Sequence, residues 1–189
     1  MIRKSIYTIF ISLALYASFV YLVAIGILGS YEGPGKISTS EIPEEITLKR
    51  TKEQVEAISN LGITNEKLIL FGDLHVHTTY SSDAFLMSLP LLAGEGTHPP
   101  ADACDFARFC SSLDFWSNTD HAEDLTPQDW QEIKDTVRQC NNVSGKGLQD
   151  TIAFLGWEWT QEGGFDEPHF GHKNIILKDP VSYTHLRAH

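Results

Sequence analysis

The residues of this sequence with the clearest chemical potential are histidines and carboxylates of the kind that bind divalent metal ions. His75 and His77 stand two residues apart at the end of the apolar run 67–75. On a strand, residues i and i+2 point to the same side, so both imidazoles can reach one ion. Asp83 follows in the next loop and adds a carboxylate, although Asp is also common in turns. A His-x-His pair alone is weak evidence for a metal site.

Residues of the same types follow the next apolar runs. Asp120 and His121 come after the run 113–117, where a helix cap is the competing interpretation. Glu158 stands between two tryptophans, an apolar setting in which an unpaired carboxylate is costly. A metal ion would satisfy it, and so would an arginine partner. Two further candidates lie at the end of the same region.

His169 and His172 are the last two candidate metal ligands, and they follow a Gly-Gly pair. We expect one of them to be a ligand and the other to contact substrate or to lie on the surface. The remaining histidines are interpreted as residues without a site role: His98 as a loop residue, and His185 and His189 as part of the last few positions.

The apolar runs and their spacing predict the elements that position these residues. Short apolar runs alternate with amphipathic segments, which indicates an α/β fold with a parallel sheet or barrel. In a (β/α) barrel the carboxyl ends of the strands converge on one face, so distant ligands would share one pocket. The predicted strands cover 67–75, 113–117, 151–155 and 172–177, and the predicted helices begin at Pro99 and at Thr126.

The first of these helices should bury a face made of Ala103, Phe106, Ala107 and Cys110, which recur at helical spacing. Direct pairing of Cys110 with the cysteine six residues earlier is awkward on a helix. The three cysteines therefore allow one disulfide and one thiol, or three buried thiols.

Composition narrows the function classes. The chain has 189 residues, of which 14 are basic and 25 acidic, so its net charge is −11. A chain this acidic repels the phosphate backbone of nucleic acids, which argues against a nucleic-acid-binding protein. Residues 31–64 are expected to form a linker with a short helix that Thr51 caps and Gly62 ends.

The first thirty residues contain no acidic residue, and 6–28 is an almost unbroken apolar run behind Arg3 and Lys4. A membrane-spanning helix needs about 20 apolar residues, so this run predicts a transmembrane helix. The basic residues before the run predict that the α/β domain lies outside the cytoplasmic membrane. A cleaved signal peptide is the alternative, and it would make the domain a secreted or periplasmic one.

Together, three motifs resemble those of the PHP (polymerase and histidinol phosphatase) superfamily, in a branch similar to the domain of unknown function 3604. They are Leu74-His-Val-His-Thr-Thr-Tyr-Ser-Ser-Asp83, Thr119-Asp-His121 and Gly156-Trp-Glu158. The similarity covers about residues 60–180. It implies that residues 65–180 form the N-terminal part of a distorted (β/α)7 barrel.

The resemblance also implies a cofactor of two or three divalent ions, with zinc, manganese and iron as candidates. Glu158 would bridge two ions, and Asp120 would support catalysis by orienting His121 and fixing its tautomer. The implied metal ligands are His75, His77, Asp83, His121, Glu158 and His172, with His169 as an alternative.

Such a centre suits hydrolysis of a phosphoester or related charged ester by hydroxide bound between two ions. The expected partner is a small anionic ester. Two other functions stay open: a degenerate, non-catalytic binding module, and a metal-dependent amidohydrolase, which also uses His-x-His on its first strand. Residues 181–189 read as a non-native tail, so we expect a truncated fragment that is inactive without the rest of its barrel.

Overall fold

The computed structural model describes residues 2–24, 33–62, 69–88, 98–145, 148–161 and 170–178. It divides into two units, Met1–Gly33 and Pro34–His189. Helix α1, Ile2–Ala24, makes up the first unit, and its side chains from residue 4 to residue 19 are exposed.

Helix α1 begins before the predicted membrane helix, because it includes Arg3 and Lys4. Residues 25–28 of the predicted span lie outside the described residues. Among the helices described, none has both the length and the apolar character needed to cross a membrane. The described residues therefore give no support to the membrane span predicted for residues 6–28.

The second unit begins with helix α2, Glu44–Asn60, which is longer than predicted. It begins after Pro43 rather than at Thr51, because a proline fits the first turn and two acidic residues there interact favourably with the helix dipole. Thr51 lies inside the helix, where its hydroxyl donates to the carbonyl of Thr47. The helix ends just before Gly62, whose φ of 61° only glycine adopts easily.

Four strands form a curled sheet in the order β1-β2-β5-β6. Strand β2 lies between β1 and β5 and is parallel to both, as the alternation of strands and helices predicts. A separate two-stranded ladder joins β3 to β4. The strands are β1 (Gly72–Val76), β2 (Phe115–Asn118), β3 (Ser144–Gly145), β4 (Leu148–Gln149), β5 (Ile152–Thr160) and β6 (His172–Leu177).

Strand β6 departs from the parallel sheet, because it pairs antiparallel with β5 in a hairpin. The hairpin continues beyond the strands, since the Gln161 amide donates to the Gly171 carbonyl and the Phe170 amide donates to the Gln161 carbonyl. Only about ten residues separate the strands, and a parallel crossover needs a dozen or more. The short connection therefore dictates the antiparallel arrangement and brings His172 back beside β5.

Helices pack on one face of the sheet and close the core. Helix α5, Pro127–Asn142, begins with the predicted Thr126 cap, which is part of a full capping box with Asp129. Helix α3, Ser82–Ser88, follows β1, and helix α4, Pro100–Asp105, runs directly into a π-helical turn, Phe106–Cys110. The core side chains include Cys104, Trp116, Trp130, Ile133, Val137, Cys140, Ala153 and Leu155.

The π-helical turn corrects the predicted buried face of this segment. Ala107 is buried as expected, but Phe106 and Cys110 are exposed, and Arg108 is buried in their place. A π-helical turn bonds i to i+5, as the Ser111 amide does to the Phe106 carbonyl, and so inserts one extra residue into the turn. The buried face already differs from the predicted one in α4, where Ala101 and Cys104 are buried and Ala103 is only partly buried.

Cys104 and Cys140 form a disulfide that ties α4 to α5. Cys110 remains a free thiol on the surface. Of the two arrangements left open by the sequence, the structure has one disulfide and one thiol.

Candidate metal centre

Six of the predicted ligands meet at the carboxyl ends of the parallel strands. They form three overlapping groups, and within each group one ligand atom per residue lies within 4.8 Å of the others. We call these six residues the histidine–carboxylate cluster. The groups are His75–His77–Glu158, His77–Asp83–His121 and His121–Glu158–His172.

Local backbone geometry explains why ligands so far apart in sequence converge. Strand β2 ends at Asn118, but the chain beyond it continues alongside β5, where His121 forms a parallel bridge with Glu158. The Glu158 amide donates to the Asp120 carbonyl, and the Ala122 amide donates to the Glu158 carbonyl. These bonds place the imidazole-bearing loop directly beside the carboxylate of β5.

Glu158 is the centre of the cluster, and its side chain is 4% exposed. Its Oε2 lies 2.8 Å from His77 Nε2, 3.2 Å from His75 Nε2 and 3.6 Å from His121 Nδ1. Its Oε1 lies 2.9 Å from His172 Nδ1 on the neighbouring strand. The two carboxylate oxygens therefore face different histidines, three on one side and one on the other.

Asp83 is the outer carboxylate of the cluster and is 59% exposed. Helix α3 carries it in the first turn, and its Oδ2 lies 3.2 Å from His121 Nε2 while Oδ1 lies 3.6 Å from His77 Nδ1. The loop between β1 and α3 is thus folded back over the strand end. Asp83 and Glu158 approach His77 and His121 from two sides.

Both carboxylates have a lowered pKa. Burial alone would raise the pKa of Glu158, but the hydrogen bond with His75 and the positive charge of His121, His75 and His77 outweigh it. Partial burial of Asp83 is likewise outweighed by the Ala84 amide and by the hydrogen bond and charge of His121, with a smaller contribution from His77. At neutral pH both side chains are therefore anionic and suited to a cation.

The Asp120 carboxylate is surrounded by hydrogen-bond donors. It is fully buried, and its carboxylate accepts hydrogen bonds from the Thr78 amide and hydroxyl, the Ser81 hydroxyl and the Asn118 side chain. None of these hydrogen bonds goes to the His121 imidazole, so the prediction that Asp120 orients His121 and fixes its tautomer stays a prediction. Asp120 is linked to the His121 backbone through Ser81, whose hydroxyl also accepts the His121 amide.

Burial raises the pKa of Asp120, whereas the hydrogen bonds from Thr78, Asn118 and Ser81 favour its ionised form. A carboxylate accepts hydrogen bonds and an acid must donate one, so a site made of four donors fits the carboxylate. The loop from residue 78 to residue 81 is thereby fixed under the cluster.

Sequence reasoning missed the polar residues that support the cluster. Thr78, Ser81 and Asn118 are buried although their types favour the surface. Their position beside the ligands, in the run from residue 75 to residue 83 and just before Asp120, is the signal that could have singled them out. Thr160 is another, since its hydroxyl lies 3.2 Å from His172 Nδ1.

Of the histidines outside the cluster, His98 is the one that lies in the described part of the chain, and it does not join the cluster. His98 is in a loop, as predicted, and its Nδ1 lies 3.7 Å from Asp102 in an exposed pair. His169, the predicted alternative ligand, and the two histidines near the end of the chain lie outside the described residues.

A groove borders the cluster on the helix side of β1. It has a volume of about 1050 Å³ and lies between β1 and the segment formed by α4 and the π-helical turn. His75 and His77 contribute to its wall together with Val76, Phe109 and Trp116. The same two imidazoles therefore face both the cluster and an apolar surface.

The donor set fits divalent metal ions. Imidazole nitrogens and carboxylate oxygens bind zinc, manganese and iron, and mixed sets of this kind do not select among the three. Within the described part of the chain, every ion-pair partner of Glu158 is a histidine, so the arginine partner allowed by the sequence is not found. The grouping supports a metal site and leaves its ion unidentified.

Comparison with known families finds one match. Residues 64–125 match the family described as "Protein of unknown function (DUF3604)". This stretch includes His75, His77, Asp83, Asp120 and His121, whereas Glu158 and His172 lie beyond it. No curated protein and no solved structure matches the chain. The predicted resemblance is thus confirmed at the level of this family and over residues 64–125.

Proposed function

We propose that this chain carries the metal centre of a metal-dependent hydrolase that acts on phosphoesters or related charged esters. The observation that carries the proposal is the convergence of four histidines and two carboxylates, from five separate segments, around the buried side chain of Glu158. The motifs that resemble the PHP superfamily, and the barrel they imply, belong to the same proposal.

The residues divide naturally between ions. Glu158 would bridge two of them, because one of its oxygens faces His75 and His77 and the other faces His172. His121 and Asp83 would hold a further ion with their facing nitrogen and oxygen. Bound divalent ions would supply a water of low pKa and neutralise the negative oxygens of an ester.

The chain's hydroxyl groups argue against a covalent mechanism. Ser81 lies in the loop beside the ligands, but it is fully buried, and its hydroxyl donates to Asp120 while accepting the His121 amide. A serine with both roles fixed has no geometry for attack on a substrate. Attack by water, with an anionic substrate held against cations, therefore suits this site better than an acyl- or phosphoryl-enzyme.

The Cys104–Cys140 disulfide supports a location outside the cytoplasm, where oxidising conditions let such bonds persist. We include this location in the proposal. The function does not depend on it, because the cluster and the disulfide share no residue.

Metal content and turnover of the purified protein test the proposal. The protein is stripped with a chelator, reloaded with zinc, manganese or iron, analysed for bound metal, and assayed with phosphomonoesters, phosphodiesters and amides. His77→Gln removes a ligand shared by two groups, and His98→Gln is the matched control because that histidine is outside the cluster. We expect His77→Gln to lose bound metal and His98→Gln to retain it. If the chain turns over a substrate, contrary to the expectation that it is inactive alone, His77→Gln should lose at least 100-fold of that metal-dependent hydrolysis and His98→Gln should not.

The same assays bear on the alternatives. Metal binding without any turnover fits both an inactive fragment and a non-catalytic binding module, whereas turnover of amides in place of phosphoesters favours an amidohydrolase. A wild-type protein that binds no divalent metal contradicts the proposal.

A further inference from the structure

One side-chain hydrogen bond joins two strands that are not neighbours in the sheet. The side-chain nitrogen Nδ2 of Asn174, on β6, donates to the backbone carbonyl of Leu74, on β1, at a distance of 2.9 Å. Strands β1 and β6 stand at opposite edges in the order β1-β2-β5-β6. The bond therefore spans the curl of the sheet from one edge strand to the other.

Both ends of this bond lie next to metal ligands. Leu74 directly precedes His75, and Asn174 is the ladder partner of Glu158 on β5, two residues after His172. The bond thus connects the backbone that carries His75 with the strand that carries His172. Both histidines contact Glu158, one at each oxygen.

The sheet itself holds this part of β1 only loosely. Asp73 pairs with Trp116 and Val76 pairs with Asn118, but the register is irregular between Asp73 and Val76. Leu74 and His75 occupy that irregular stretch. The backbone is held again at Val76, which bonds Thr119, so Leu74 and His75 are the part of β1 whose register β2 does not set and where a contact from another strand adds a restraint.

Outside the cluster, where its Nε2 lies 3.0 Å from His77 Nε2 and 3.2 Å from Glu158 Oε2, the His75 side chain has few restraints. Its side chain is 57% exposed, the largest exposure of the three ligands in its group, and packing therefore restricts it little. Its amide donates to Asp73 within the same strand, which ties it to β1 and not to the rest of the cluster.

We propose that Asn174 is a positioning residue. Its hydrogen bond joins β6 to β1 and so holds His75 at the distance from Glu158 that one ion requires. The inference rests on the proposed metal centre. Asn174 acts through His75 and is not itself a ligand. Its loss should weaken the ion bound by His75, His77 and Glu158, and should leave the Asp83–His121 pair unaffected.

A cobalt titration of the metal-stripped protein tests this role. Co²⁺ affinity is measured by competition with a chromophoric chelator, and the unfolding temperature of the metal-free protein is measured in parallel. We expect Asn174→Ala to weaken Co²⁺ binding about three- to tenfold, the effect of one hydrogen bond. Asn174→Gln, which keeps the amide donor, should recover part of the loss.

Asn141→Ala is the matched control. The Asn141 side chain also bonds backbone, with two hydrogen bonds to Ala153, but it lies away from the cluster. We expect this variant to lower the unfolding temperature without weakening Co²⁺ binding. An equal loss of affinity in both variants would show that Asn174 acts through general stability, which overturns the proposal.

Double-mutant cycles identify the ligand through which Asn174 acts. The effect of Asn174→Ala should vanish in a His75→Ala background and persist in an Asp83→Asn background. Asn174→Asp supplies a second variant that loses the donor but keeps the shape. Its added negative charge would by itself strengthen cation binding, so weaker binding reports the lost hydrogen bond.

Two outcomes separate this inference from the proposed function. If the wild-type protein binds no Co²⁺, the metal centre fails and this inference fails with it. If the wild type binds Co²⁺ and Asn174→Ala binds it equally well, or if the loss persists without His75, the positioning role alone is wrong.

Discussion

Two groups of charged side chains in the second unit differ in whether the protein itself supplies partners for all of their charges. The first is the arginine network, formed by Arg108, Asp105, Asp150 and the carbonyls of Ser38 and Ser40. Arg108 is 1% exposed and its nitrogens make five hydrogen bonds of 2.6–3.0 Å, two to Asp150, one to Asp105 and one to each carbonyl. All five donors of the guanidinium are used.

The histidine–carboxylate cluster has the opposite balance. Its two carboxylates, Asp83 and Glu158, are anionic at neutral pH, and the described ion pairs give them only histidines as partners. The cluster thus brings two anionic carboxylates and the ring nitrogens of four histidines within a few ångströms of one another, with ligand atoms of each group inside 4.8 Å. A group whose charges and hydrogen bonds are satisfied within the protein stabilises the fold, whereas a group rich in anionic carboxylates and imidazoles is suited to binding an added cation.

Removing the arginine tests the first half of this contrast and has the largest expected effect. Arg108→Met removes the buried guanidinium that makes two hydrogen bonds to Asp150, which should lower the free energy of unfolding by about 3–5 kcal/mol. Arg138→Met is the control, because its pair with Asp135 is partly exposed and worth about 0–1 kcal/mol. Urea unfolding measures both. Similar losses in the two variants would remove the structural role assigned to the network.

Removing the central carboxylate tests the second half. Saturating zinc should stabilise the wild-type protein by about 2.7 kcal/mol at 100 times its dissociation constant, and Glu158→Gln should abolish this gain. Metal-free Glu158→Gln should unfold slightly below the wild-type midpoint at neutral pH, because the ionic contacts of the carboxylate with the histidines are lost. Unfolding with zinc and with chelator gives the comparison. A zinc-induced gain that survives in Glu158→Gln would contradict the assignment.

Asp120 sharpens the comparison because it lies beside the cluster but resembles the arginine network in being fully hydrogen-bonded. Asp120→Asn replaces one acceptor by a donor that faces other donors. We expect a loss of about 1–3 kcal/mol in the free energy of unfolding, with bound metal retained. Metal analysis of the folded variant checks the second point. Loss of metal at full stability would place Asp120 among the ligands.

The smallest expected effect is on the acid stability of the metal-free protein. Burial of Glu158 would raise its pKa, but the hydrogen bond with His75 and the positive charge of His121 outweigh burial. Folding therefore lowers the pKa of this carboxyl. Its stabilising effect is therefore present above the pKa of the unfolded chain and is lost as pH falls through the lower folded value. Glu158→Gln should flatten this acid limb of the urea midpoint against pH. An unchanged limb would argue against that ionic contact.

Much of the site was predictable because it depends on local patterns. The apolar runs place His75, His121 and Glu158 at strand ends, and parallel strands bring those ends together whatever the loops do. The capping box at Thr126 is likewise encoded within four residues. Such features need no knowledge of distant partners.

The features that were not predicted depend on contacts between distant segments. The buried face near Arg108 follows from the π-helical turn and from Asp150, which lies 42 residues away. The role of Asp120 follows from donors that only the folded loop supplies, and the Asn174 bond reaches across 100 residues. Periodicity and composition carry no information about such pairs.

The order of the ligands along the chain has a consequence for synthesis. The cysteines of the disulfide are complete at residue 140, whereas Glu158 and His172 come later. At roughly 5–20 residues per second, His172 leaves the ribosome several seconds after His75. Helices α4 and α5 can therefore be locked together while the cluster is still incomplete. If the proposed metal centre forms, capture of its cation is then a late event, and the local supply of metal would decide how quickly a new chain reaches its most stable state.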